Sequence, residues 1–141
     1  MAYIFRSSAF KYHIPIYLYI IGIFALSSIP PSSIPDVKTQ LPMDKIVHFL
    51  EYGIFGILVF RVIHLKKKVI ESATISIFIV AALGAIDESY QTLTHRTTDV
   101  KDWITDCLGA ALFIIGFIIC LKIWEKLKIN RAIRDARNFL D

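Results

Sequence analysis

Charge is scarce in this chain: 20% of its 141 residues are Asp, Glu, Lys or Arg, while 55% are hydrophobic and the mean hydropathy is +0.57. A soluble domain of this size carries more charge and fewer apolar residues. The composition therefore excludes an ordinary soluble domain and predicts a small polytopic membrane protein. Cysteine is scarcer still. Cys107 and Cys120 are the only two, and on one helix their spacing corresponds to about 20 Å of rise, too far for a mutual disulfide. The strongest catalytic signatures are also missing. There is no HExxH metal motif, P-loop, GxSxG elbow or CxxC pair, and no internal repeat or low-complexity tract. The formal net charge of +4 does not point to nucleic acid, because the basic residues flank apolar runs instead of forming a soluble basic face.

Apolar residues fall into four runs, Ile14–Ile29, Ile46–Ile63, Val69–Ile86 and Trp103–Trp124. Several sit near the lower limit of about 17–25 residues for a membrane span, and extension into their flanks makes up the difference. The first run has a second reading as a signal peptide, with Arg6 and Lys11 ahead of it and Ala25-Leu26-Ser27 resembling a cleavage site. Four spans with both ends inside fit the charges better. The N-terminal arm, the second loop and the tail hold 12 of the 16 basic residues, and the opposite side holds 8 of the 12 acids. The positive-inside rule then predicts cytoplasmic termini. Residues 125–141 repeat apolar positions at Ile129, Ile133, Ala136 and Leu140 with arginines between them. That pattern predicts an amphipathic helix on the cytoplasmic leaflet, with partner binding as its alternative. Residues 1–124 are read as the four-helix transmembrane domain.

Between the third and fourth runs lies a polar knot holding Asp87, Glu88, Gln91, His95, Arg96, Asp99, Asp102 and Asp106. Ionisable groups near a bilayer are expensive and are functional-site candidates by default. Topology places this knot and the start of the second run on the extracytoplasmic side. Helical spacing puts Asp44, His48, Glu51 and Tyr52 on one face. Asp87 and Gln91 share another with Glu88 beside it, and Asp99, Asp102, Asp106 and Gly109 form a stripe on the fourth helix. Gly109 and Ala110 would let helices approach closely below the carboxylates. The predicted result is one outward-facing pocket. Ser89, on a separate face, implies no nucleophile.

Each piece also has a structural explanation. Thr98 suits an N-cap with Asp99 in the first turn, Arg96 can pair with Asp99 or Asp102, and His48 can be a buried structural donor. A network that only fixes helix packing is the resulting alternative. The chemistry open to the cluster is specific in kind. His48 beside a carboxylate can act as general acid or base, Arg96 and Lys45 can hold a phosphate or carboxylate, and the carboxylates with His48 can instead hold a divalent cation.

The blocks DKIVHFLEYGIFG, DESYQ and RTTDVKDWITDCLGA resemble the VanZ-like family of small bacterial membrane proteins. Asp44, Lys45, His48, Phe49 and Tyr52 match that family's first block. Asp87, Glu88 and Gln91 match the second; Arg96, Asp99, Asp102 and Gly109 match the third. The likeness spans about residues 27–116. His95 stands where the family often has glycine, and Asp106 where it often has asparagine. The resemblance implies a role in the bacterial cell envelope, with the founding member associated with teicoplanin resistance. It supplies a setting and not a reaction.

The expectation is thus an all-α bundle of four transmembrane helices with a C-terminal amphipathic interfacial helix, in the bacterial cytoplasmic membrane. Its polar pocket would bind an anionic envelope lipid or lipid-linked cell-wall component and lower susceptibility to glycopeptides or lipopeptides. His48 with Glu88 or Asp102 would move any proton. Arg96 and Lys45 would clamp the anion, Gln91 and Tyr52 would orient it, and Asp44, Asp87, Asp99 and Asp106 complete the binding set. No metal ligand set or cofactor is assigned. The alternatives are a membrane hydrolase or transferase acting on a lipid-linked substrate, and a structural protein without catalysis.

Overall fold

A hydrocarbon environment leaves the backbone only one economical choice. Every N–H and C=O must bond within the segment, which favours helices. The computed structural model describes residues 2–30, 43–94 and 98–140, and among them four helices and no strand are present: α1 (Ala2–Ser27), α2 (Met43–Ile63), α3 (Val69–Leu93) and α4 (Val100–Leu140). All four are long and apolar enough to cross a membrane. Three overrun the predicted apolar limits at their polar ends. Some of the residues added there, such as Lys45 on α2 and Gln91 on α3, are polar on a face that meets other helices.

α2 is the central helix and packs against all three others. It runs parallel to α4, since Lys45 meets Asp102, His48 meets Asp106 and Phe60 meets Phe117 in rising order. α3 runs antiparallel to α4, with Glu88 near Asp99 and Ala81 near Trp103. α1 leans on α2 through Tyr19 and Phe55. Its C-terminal end is tied to that of α3 by Thr94 donating to the Ser27 carbonyl at 3.1 Å and by the Ser28–Tyr90 hydroxyl pair at 2.8 Å.

The buried apolar cluster is small, comprising Ile23, Tyr52, Phe55, Val59, Val80 and Ala110. Large apolar side chains instead line the outside, with Ile70 82% and Phe78 72% exposed. In water such a surface drives aggregation, whereas lipid tails solvate it at no cost. The chain is a multi-pass membrane protein.

Small residues set the helix spacing. On α3, Ser72 and Ser76 are wholly buried and donate their hydroxyls to the carbonyls of Lys68 and Ser72 one turn back, so they pack closely without leaving an unsatisfied polar group. On the α2–α4 seam, a Cβ on Gly109 would collide with the Phe49 carbonyl, and one on Gly56 would lie 3.0 Å from the Ala110 Cβ. The expected close approach at Gly109 and Ala110 is present, and Gly53 and Gly56 supply its other half.

The tail differs from expectation. α4 is one unbroken helix to Leu140, about 60 Å long at 1.5 Å per residue, twice the roughly 30 Å hydrocarbon core. The amphipathic segment is helical, but it continues α4 instead of forming a separate helix. No glycine or proline follows Gly116 to stop the helix.

Candidate functional site

Because α2 and α4 are parallel, their first turns begin at the same end of the bundle and their side chains pair level by level. Lys45 Nζ donates to Asp102 Oδ1 at 2.5 Å and to Asp99 Oδ2 at 3.2 Å. One turn deeper, His48 Nδ1 pairs with Asp106 Oδ1 at 3.0 Å, with His48 5% exposed and Asp106 not exposed at all. The Tyr52 ring follows on the same face of α2, parallel to the His48 ring with centroids 6.3 Å apart. Lys45 and His48, one turn apart on α2, thus meet Asp102 and Asp106, one turn apart on α4.

α3 closes the third side. Asp87 and Gln91 are both buried, and Gln91 Nε2 donates to Asp87 Oδ2 at 3.1 Å. Glu88 reaches the start of α4, where its Oε2 accepts from the Asp99 N–H at 3.2 Å. Gly84 makes room for Asp106, since a Cβ there would lie 2.9 Å from Asp106 Oδ2. Trp103 Nε1 donates to the Ala81 carbonyl at 2.8 Å and pins the first turn of α4 to α3. A cavity of about 240 Å³ opens beside it, lined by Ala85, Glu88, Thr98, Val100 and Trp103.

Among the described residues, the buried oxygens Glu88 Oε1 and Asp106 Oδ2 have no hydrogen-bond partner, and Tyr52 Oη and Asp87 Oδ1 have none beyond their own near approach to each other. Buried polar atoms are normally satisfied, so these mark where water, an ion or a ligand group would be accommodated. A ligand atom from each of Asp44, His48 and Asp102 also lies within 4.8 Å of the other two, close enough to suggest a shared cation.

The cap of α4 falls one residue later than expected. Asp99 precedes Val100, and its Oδ1 accepts from the Lys101 N–H at 2.9 Å; Asp99, not Thr98, holds the helix start. That backbone N–H, helped by the Lys45 ammonium, keeps the Asp99 carboxyl below its ordinary pKa.

Most sequence-predicted residues meet here, with different partners from those expected. The acid bonded to His48 is Asp106, not Glu88 or Asp102, because parallel helices of matched depth place residue 48 level with residue 106. Lys45 directs two of its three donors to Asp99 and Asp102. Tyr52 is wholly buried. Glu51 faces α1, lining a groove of about 310 Å³ with Pro15, Leu18, Tyr19, Gly22, Ile23 and Leu26. Asp44 is exposed at the first turn of α2. Ser89 donates to the Ala85 carbonyl on an exposed face, as expected of a bystander. Arg96 and His95 lie outside the described residues. Gly84 and Trp103 escaped the sequence reading, although Gly84 stands three residues before Asp87, a short step from a cluster already in view.

Compared with known protein families, residues 1–122 match the family described as VanZ/LLP1. No curated protein and no solved structure matches the chain.

Proposed function

Because this chain belongs to the VanZ/LLP1 family, we propose that it serves the bacterial cell envelope and lowers susceptibility to teicoplanin-like glycopeptides or to lipopeptides. It does so from the cytoplasmic membrane, with both termini inside and the polar cluster outside. Separation of charge between the two ends of the bundle supports that orientation. Arg61, Lys66, Lys67 and Lys68 crowd one end, and Asp44, Asp87, Glu88, Asp99, Asp102 and Asp106 crowd the other.

The observation that carries the reading is the buried His48–Asp106 pair, with further buried oxygens around it, among them Glu88 Oε1 and Asp106 Oδ2, that have no partner among the described residues. A bundle held together by packing alone has no need of it. The cluster binds an anionic envelope molecule, a phospholipid headgroup or a lipid-linked cell-wall component. Gln91 and Tyr52 orient that ligand, and His48 handles any proton.

The test is teicoplanin susceptibility in cells expressing wild-type or His48→Ala protein, with membrane levels measured in the same cultures. Loss of protection at normal abundance is the expected result. Equal protection at equal abundance would remove His48 from the site, and no protection by either protein would remove the envelope role. The same dyad favours a second reading, a membrane hydrolase or transferase acting on a lipid-linked substrate. Turnover of a defined lipid that depends on pH and disappears in His48→Ala separates this enzyme from a binder.

A further inference from the structure

An anion-binding cluster built mainly from acids presents a contradiction. Asp87, Asp102 and Asp106 are all at least nine-tenths buried, and uncompensated buried carboxylates are costly. Among the described residues, Lys45 is the lysine bonded to them, and it is shared between Asp99 and Asp102. A cation supplied from outside resolves both difficulties.

We infer that Asp44, His48 and Asp102 hold one divalent transition-metal ion, of the zinc or manganese type, at the acidic end of the α2–α4 seam. The inference rests on reading this cluster as a binding site, and it makes the ion the group that meets the phosphate of the anionic ligand.

Geometry supports it first. Asp44 and His48 stand one turn apart on the same face of α2, and Asp102 faces them from the parallel helix. Their donor atoms lie within 4.8 Å of one another, near the roughly 3.4–4.4 Å that separates two ligands of one ion at ordinary bond lengths. Side-chain rotation alone, without movement of either helix, would draw them around it.

The surroundings of the histidine supply the second argument. A metal-bound imidazole ordinarily gives its other ring nitrogen to a carboxylate, which fixes the tautomer and the ring plane. His48 Nδ1 meets Asp106 Oδ1. When that nitrogen keeps its proton, the lone pair is on Nε2. Asp106 is wholly buried, and its Oδ2 has no partner among the described residues. This is a carboxylate placed to orient the ring and to add negative charge behind it.

The donor set narrows the ion. Magnesium and calcium favour shells made of oxygen, whereas an imidazole with two carboxylates suits zinc or manganese. Three protein ligands leave at least one position open, and a phosphate oxygen fits it.

The full-length protein, purified in neutral-lipid nanodiscs and stripped by chelator, is titrated with Mn²⁺ by electron paramagnetic resonance and with Zn²⁺ by calorimetry. One saturable site per chain is expected. Asp44→Asn and His48→Gln each weaken it at least about 100-fold, and Asp106→Asn weakens it about 10–100-fold. Glu71→Gln, at the opposite end, leaves it unchanged. No saturable binding, or binding indifferent to Asp44→Asn and His48→Gln, overturns the inference. Asp44 is exposed, so Asp44→Asn decides the matter even if His48→Gln fails to fold. A protein that takes up no ion yet retains an anionic lipid sinks this inference and leaves the proposed function standing. One that binds the ion but retains no anionic lipid does the reverse.

Discussion

The seam between α2 and α4 is built in two ways along its length. Near the acidic end it is made of charge, with Lys45 on Asp99 and Asp102 and His48 on Asp106. Deeper in, from Gly53 to Phe60 on α2, every residue is apolar. There contact is made by glycine and alanine at close range, with Phe113 and Phe117 as the large partners. The same two helices therefore use packing where packing is enough. Small-residue contact alone can associate helices in lipid, so the ionisable half of the seam is an expense that association does not explain.

That contrast breaks most sharply at Asp106. Asp106→Ala leaves His48 buried without its partner and is expected to cost about 3–5 kcal/mol, read as a large drop in the thermal midpoint of purified protein. Gly109→Leu attacks the packed half by driving a side chain into the Phe49 carbonyl. Overpacking of this kind costs about 1–3 kcal/mol, and the folded, monodisperse fraction in detergent should fall accordingly. Replacing both members of the pair, His48→Leu with Asp106→Leu, should restore stability to within about 1 kcal/mol of wild type, since well-packed apolar substitutes for a buried ion pair are often neutral. Teicoplanin protection should nevertheless stay lost. A double variant that still protects would show the charged half to be only a fastener.

The smallest effect belongs to the rim. Asp99 has its pKa depressed in the folded protein, so the stability from its contacts is fully present above the ordinary Asp value of about 4 and is lost as pH falls through the lower folded value. The difference in thermal midpoint between wild type and Asp99→Asn should therefore hold steady from pH 7 to 5 and shrink only below about pH 4.

Much of this could be read without coordinates, and the reasons differ by residue. The four spans follow from apolar run length. The shared faces of His48 with Tyr52, Asp87 with Gln91, and Asp102 with Asp106 follow from helical period, and all six side chains are buried as those faces require. Glu51 fitted the same face of α2 but turned to α1, because a wheel projection does not say where one neighbour ends and the next begins. The partner of His48 demanded one more step. Parallel α2 and α4, both starting from the same membrane surface, bring the first turn at Lys45 to Asp102 and the next turn at His48 to Asp106, a pairing visible in the sequence once both directions are known. The unbroken α4 was missed because the change from apolar to amphipathic composition looks like a boundary, although no residue there ends a helix.

The parallel seam also has a consequence for biogenesis. His48 and Asp106 are 58 residues apart, and chains grow at about 5–20 residues per second. α2 therefore reaches the membrane roughly 3–12 s before α4 exists to receive it. During that interval Lys45 and His48 have no Asp102 or Asp106, and a charge left alone in lipid is expensive. The nascent helix must wait with its polar turns at the interface or sheltered by the insertion machinery. The site is thus completed only when α4 arrives, and a chain that stops before residue 100 carries Lys45 and His48 without Asp102 and Asp106.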